Sequence, residues 1–224
     1  MMKFFAGSLL CLALLSPLGA VAQEAIPQSP IAKAELLVDA PSVKAGVPIQ
    51  AGVHFTMPAH WHIYWQNPGD SGIPTRLDWT LPEGITASAI QWPLPERLDL
   101  QGLINYGYSN EVTLPVTLTP ARDGLAGDVK VKASWLICKD ICIPESVELS
   151  APLAANPAAA KLIDAALALT PKPFTGSASF DVTAKNVTLT VTRDTPWGSI
   201  TNARFTPIDD GMAANNPQIG RAHV

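Results

Sequence analysis

From Ala34 onward, apolar and polar positions alternate or cluster in short runs. AELLVD, PIQAGVHFT, WHIYWQ, TRLDWT, EVTLPVTLT, DVKVKASWLI and CIPESVELS carry Val, Ile, Leu, Thr and aromatic residues, the types that suit a pleated, half-buried surface. Turn signals separate them: Ala45-Gly46, Asn67-Pro68-Gly69-Asp70, Pro82-Glu83-Gly84 and Arg122-Asp123-Gly124. About seven short strands in about 115 residues, with no helical periodicity among them, predict an all-β domain, an immunoglobulin-like β-sandwich. Its expected bounds are 33–153. Many prolines fit edge strands and loops better than a parallel sheet. Trp61, Tyr64, Trp65, Trp79 and Trp92 are expected to fill the core or its rim, as aromatics at strand spacing do.

The pattern changes at Asn156–Thr170. Asn156 is a good N-cap, Pro157 suits the first helical position, and an Ala-rich stretch follows. Leu162, Ile163, Ala166 and Leu167 fall on one face, and Pro171 and Pro173 end the run. Residues 154–173 are therefore read as a short linking helix. Strand patterns resume in SASFDVTAK, in VTLTVTR and around Ala203-Arg204-Phe205. Residues 174–218 are expected to be the truncated start of a second β domain, too short to bury a core alone. The last six residues, 219–224, have none of the preceding pattern and match one reading frame of a common sequencing adapter, so they are read as an artefact.

The N-terminus sets the compartment. A positive start at Lys3, an apolar run from Phe4 to Leu18 and the small residues Ala20-Val21-Ala22 make a secretory signal peptide over 1–22. The apolar run is shorter than the roughly 20 residues a spanning helix needs. Residues 23–32 are small, polar and proline-containing, and read as a flexible leader. The formal charge of −4, without a basic run, argues against nucleic acid as a partner. Cleavage removes Cys11 and leaves Cys138 and Cys142, in a compartment where disulfides persist.

These cysteines are the candidate catalytic pair. A β run enters Cys138, Lys139-Asp140-Ile141 intervenes, and a second β run leaves Cys142. That is hairpin logic, and facing cysteines there come within disulfide reach. Three readings stay open. A structural staple across so short a loop is worth only about 2 kcal/mol, against roughly 4–5 for a long one. A metal half-site lacks further cysteines and a His pair at ligand spacing. A reactive dithiol fits a tightly closed, accessible disulfide; Lys139 favours a thiolate and Asp140 opposes it. Tyr64 has a second reading, as a lining of the cysteine site. His54, His60 and His62 have strand spacing, and imidazole suits copper. Asp70 and Asp78 read as turn caps. Asn186-Val187-Thr188 matches a glycosylation triplet but reads as strand. Nothing calls for a cofactor.

The ordered motifs Trp61-His-Ile-Tyr64-Trp-Gln-Asn-Pro-Gly-Asp70-Ser-Gly-Ile-Pro74, Ile90-Gln-Trp-Pro93, Asn105-Tyr-Gly-Tyr108, Glu111-Val-Thr-Leu-Pro-Val-Thr117 and Trp135-Leu-Ile-Cys138-Lys-Asp-Ile-Cys142-Ile-Pro-Glu145 resemble the N-terminal periplasmic domain of the DsbD/ScsB family of transmembrane thiol:disulfide interchange proteins. The resemblance covers about residues 33–153. The three-residue cysteine spacing is similar to the ScsB-like branch, linked to copper tolerance; the better-known DsbD domains use a longer spacing. It implies a periplasmic protein-disulfide reductase domain, part of a larger inner-membrane enzyme. Such a domain takes electrons from a thioredoxin-like domain fed through a transmembrane domain and passes them to thioredoxin-fold periplasmic partners. It implies that Cys142 forms the mixed disulfide and Cys138 resolves it. It also implies a cap loop with an aromatic residue over the cysteines; the matching region, Leu98–Gly102, has Leu100 and no Phe. The alternative is an immunoglobulin-like binding or copper-handling module with a structural disulfide.

Overall fold

The computed structural model describes residues 30–183, 187–195, 198 and 204–209. The expected signal peptide, most of the leader, Asn186, Ala203 and residues 219–224 lie outside these. The described residues form a mostly β-strand fold with one short helix. No helix among them is long and apolar enough to cross a membrane.

Strands β1 (Lys33–Asp39), β2 (Ile49–Thr56), β8 (Glu111–Pro120) and β5 (Ile85–Ala87) make a four-stranded sheet in the order β1-β2-β8-β5. A second sheet runs β10 (Cys142–Pro152), β9 (Asp128–Cys138), β3 (His62–Gly69), β7 (Leu103–Ser109), β6 (Glu96–Leu100). Strand β4 (Arg76–Thr80) joins the second sheet by pairing with β9. All these pairings are antiparallel. The long β9 serves β10 along one edge; along the other it meets β3 at His62 and β4 from Arg76 to Thr80.

Period-2 patterning explains the core. On β9, Val129, Val131, Ala133, Trp135 and Ile137 are buried while Lys130 and Lys132 between them are exposed. Val53, Phe55 and Leu114 from the first sheet share one apolar cluster with Ile63, Trp65, Tyr106, Trp135 and Ile137 from the second. Phe55 and Trp135 meet edge to face at 5.1 Å. Trp61, Trp79 and Trp92 pack against this cluster from the side. At Cys138 the alternation stops: Ile137 and Cys138 are both buried, so the sheet is covered on both faces at its end. Strand β3 shows the same thing, with His62, Ile63, Tyr64 and Trp65 all buried.

Helix α1 (Pro157–Ala168) begins where the cap chemistry puts it. The Asn156 side chain accepts from Ala159 N–H at 3.1 Å, with Pro157 just inside the start. Ile163 and Ala159 pack on Leu37, and Ala166 is also buried. Leu162, expected on the inner face, is exposed. Beyond the helix, β11 (Ser177–Val182) and β12 (Val187–Thr192) form a two-stranded ribbon that is exposed almost throughout. Arg204 and Phe205 are not in a strand. Nearby Pro207 is buried and its carbonyl accepts from Asn67 Nδ2 at 2.9 Å.

Candidate functional site

Cys138 and Cys142 face each other across the β9–β10 hairpin and are joined by a disulfide. Their Cα atoms are 4.1 Å apart, near the spacing of a non-hydrogen-bonded antiparallel pair. Lys139-Asp140-Ile141 closes the hairpin, with Lys139 N–H donating to the Ile141 carbonyl at 3.0 Å. All three loop residues are exposed. Lys139 Nζ lies 3.7 Å from Asp140 Oδ2. The two charges offset each other next to the sulfurs, and such an exposed pair contributes little to stability.

The two cysteines differ in access. Cys138, at 1% exposure, is sealed in, whereas Cys142 is exposed. Cys138 is flanked on its other side by His62, its register partner on β3. Strand alternation puts His62 and Tyr64 on the same face as this pair, opposite the apolar core. The Tyr64 hydroxyl is 3.9 Å from Cys142 Sγ and 3.4 Å from His62 Nε2. The two rings meet edge to face at 5.3 Å.

A turn lies over Tyr64. Asp70 N–H donates to the Ile104 carbonyl, and Ile104 N–H returns a bond to Asp70 Oδ2 at 2.7 Å. Asn105 Nδ2 donates to the Ser71 carbonyl at 2.6 Å and to Ser71 Oγ at 2.8 Å. Gly72, at φ +100°, follows; a Cβ there would sit 2.3 Å from the Tyr64 ring. The Asn-Pro-Gly-Asp-Ser-Gly run is thus a lid on an aromatic ring as well as a chain reversal. Burial pushes the Tyr64 phenol above its ordinary range, and the Ser71 hydrogen bond opposes that. Burial also pushes the His62 imidazole down, against the nearby Glu96 charge. Both rings are therefore held neutral around neutral pH.

Tyr64 and His62 join the cysteines; of the other candidates, Leu98 comes toward them, its Cδ1 3.4 Å from where a Cβ on Gly107, the register partner of Tyr64, would sit, and the rest stay apart. Leu98 and Leu100 stand on the β6–β7 hairpin, whose tip pairs Leu100 with Leu103. Leu103 and Ser109 bound β7, and Ser109 shares a row with His62. Six residues at strand rise put the tip about 20 Å along the sheet from that row. His54 bonds Thr113 and Thr56 in the other sheet, and His60 occupies an exposed turn at φ 70°. Among the described residues, no three His, Cys, Asp or Glu side chains cluster for a metal ion. Asp70 does hold a turn; Asp78 lies on β4 opposite Lys132. Sequence reasoning placed Tyr64 first in the core and read His62 only as a metal candidate. Their i, i+2 spacing was the available signal that they share a face.

The family model "Thiol:disulfide interchange protein DsbD, N-terminal" matches residues 32–154. The crystal structure of the N-terminal periplasmic domain of ScsB from Proteus mirabilis is similar over 76% of this chain and 68% of that chain, with a TM-score of 0.58 and 21% identity. That likeness shows a shared fold. The crystal structure of the DsbD N-terminal domain of Neisseria meningitidis, in the reduced form, aligns over 58% of this chain and 90% of that one, at 13% identity and a TM-score of 0.34. No curated protein matches the chain. With more than half its length matched and a cross-strand disulfide at the end of β9, the chain belongs to the DsbD N-terminal family of thiol:disulfide interchange proteins.

Proposed function

We propose that this chain is the periplasmic electron-relay module of a protein-disulfide reductase. Its domain, residues 33–153, is an immunoglobulin-like β-sandwich, exported by a signal peptide over 1–22 and followed by a linking helix and a further β segment. Cys138 and Cys142 alternate between dithiol and disulfide. Electrons arrive from a thioredoxin-like domain fed through a transmembrane domain, and leave to thioredoxin-fold partners. The observation that carries this reading is the unequal access of the two cysteines, Cys142 exposed and Cys138 buried. An incoming sulfur meets Cys142 first, which fits Cys142 as the partner-facing nucleophile and Cys138 as the resolving cysteine.

The step balances as two displacements. The Cys142 thiolate attacks a partner disulfide; a Cys142–partner bond forms, the partner's S–S bond breaks, and its electron pair leaves on the released partner sulfur. Cys138 then attacks Cys142, which reforms the intramolecular disulfide and expels the second partner sulfur. The proton of Cys138 ends on a partner thiolate, and two electrons have passed to the partner.

The test is trapping. A Cys138→Ala variant exposed to oxidised thioredoxin-fold proteins should accumulate a mixed disulfide through Cys142. If none forms with any such protein, while the variant remains folded, the relay reading falls. A redox titration adds a second criterion, since a midpoint far below about −300 mV belongs to a structural disulfide.

A further inference from the structure

Tyr64 is 1% exposed yet belongs to none of the apolar clusters. Its hydroxyl is instead surrounded by three polar neighbours: Ser71, His62 and Cys142. The bonds that hold Ser71 have a definite direction. Asn105 Nδ2 is 2.6 Å from the Ser71 carbonyl oxygen, which only accepts, so that end of the amide is the nitrogen. The same nitrogen donates to Ser71 Oγ at 2.8 Å. The Ser71 side chain, so held, is a polar neighbour of the Tyr64 phenol. Beside Ser71, the phenol hydrogen has two acceptors within reach, His62 Nε2 at 3.4 Å and Cys142 Sγ at 3.9 Å.

The choice between these acceptors depends on the redox state. A disulfide sulfur is a weak acceptor, and a neutral imidazole with its hydrogen on Nδ1 offers a lone pair at Nε2. In the oxidised chain, an imidazole in that tautomer takes the hydrogen. A thiolate carries a full charge and accepts far more strongly. In the reduced chain the same hydrogen points to Cys142. The ring itself need not move, because Gly72 and the turn above it hold it in place.

We propose that Tyr64 is a catalytic residue of the exchange reaction, donating its hydroxyl hydrogen to the Cys142 thiolate, and that His62 is a positioning residue that takes the same hydrogen when the cysteines are joined. This rests on the reading of Cys142 as the sulfur that meets the partner. No proton is transferred from the tyrosine. As Cys142 bonds to the partner sulfur its negative charge leaves with the released partner thiolate, and the hydroxyl turns from sulfur to imidazole. Reduction of the disulfide reverses the turn. The device favours the nucleophilic form of Cys142 without placing a cation beside it, which suits a loop whose lysine is offset by an aspartate.

The experiment reads the pH dependence of Cys142 alkylation by iodoacetamide in the reduced protein, with the labelled cysteine identified by mass spectrometry. In Tyr64→Phe the midpoint should rise by about one unit, a tenfold change in the thiol–thiolate ratio. The phenyl ring still fills the space beneath the turn. Ser71→Ala, which keeps the tyrosine hydroxyl, should move the midpoint by less. A midpoint unchanged in both variants, each with native circular dichroism, overturns the role of Tyr64. For His62 the readout is the disulfide's midpoint potential against glutathione. His62→Phe leaves the hydroxyl without an acceptor in the oxidised state and should raise the potential; His62→Gln supplies an acceptor and should restore it. Equal potentials in wild type and His62→Phe overturn the positioning role. Alkylation needs no partner protein, so a failed trapping experiment and a failed tyrosine test are separate results.

Discussion

Glu145 accepts the indole N–H of Trp135, its register partner across the β9–β10 hairpin, at 3.0 Å. The same carboxyl group accepts the backbone N–H of Ile31 at 2.5 Å and of Ala32 at 3.3 Å. A buried acid three residues beyond Cys142 thus ties the approach to β1 onto the strand that carries the exposed cysteine. Glu145→Ala leaves buried donors unpaired, and each such group costs about 1–3 kcal/mol. The expected loss is about 3 kcal/mol in urea unfolding, with faster hydrogen exchange at the Ala32 amide. An unchanged urea midpoint would show that water takes over the carboxyl's bonds.

Gly72 and Gly46 both have positive φ, +100° and +70°, but only Gly72 sits against a side chain. Gly46→Ala should cost about 1 kcal/mol, for backbone strain alone. Gly72→Ala adds a collision with the Tyr64 ring, and overpacking of this kind costs about 1–3 kcal/mol more. Thermal unfolding of the two variants separates strain from collision. Equal shifts would mean that the Tyr64 ring is not held as described.

The hairpin disulfide encloses so few residues that it contributes only about 2 kcal/mol by loop-closure entropy. Reduction should lower Tm by roughly 5–10 °C and leave the far-ultraviolet circular dichroism unchanged. A collapse of the spectrum on reduction would identify the bond as a staple on which the fold depends.

Burial lowers the His62 pKa from its ordinary 6.5, with Glu96 opposing the shift. Above that value the imidazole is neutral in both folded and unfolded chains, and its contribution is intact. As pH falls below it, the unfolded chain takes up a proton that the folded chain resists, so stability is lost toward the folded pKa. Urea midpoints should fall between pH 7.5 and 5.5, more shallowly in His62→Gln and more steeply in Glu96→Gln. Parallel curves for all three proteins would remove His62 as the source.

Much of the fold is legible in the pattern of the chain because one-sided strands alternate. Strand β9 is the clear case, with lysines out and Val129, Val131 and Ala133 in. Strand β7 was not anticipated. Ile104 to Tyr108 are all buried, and Asn105 and Gly107 interrupt the apolar run, so alternation carries no signal there. Strand β6 is an edge with three exposed charges, and β5 has only three residues. The cysteine pair could be read from spacing and motif. The place of Tyr64 could not, because it depends on which face of β3 looks toward Cys138, a register partner of His62 far along the chain. The turn that buries Tyr64 is held by Asn105, again from a distant strand. The role of Glu145 likewise depends on backbone groups 113 and 114 positions away.

The bond between the sulfurs and the surroundings that tune it have different assembly requirements. Cys138 and Cys142 meet as soon as two neighbouring strands turn back on each other, a local event. The tyrosine, the histidine and the overlying turn reach the cysteines only when β3 and β9, far apart along the chain, join in one sheet. An oxidised but unfolded chain therefore has the same covalent link and the same mass as the native protein. The pH at which its reduced thiols react is what distinguishes a finished molecule from a merely cross-linked one.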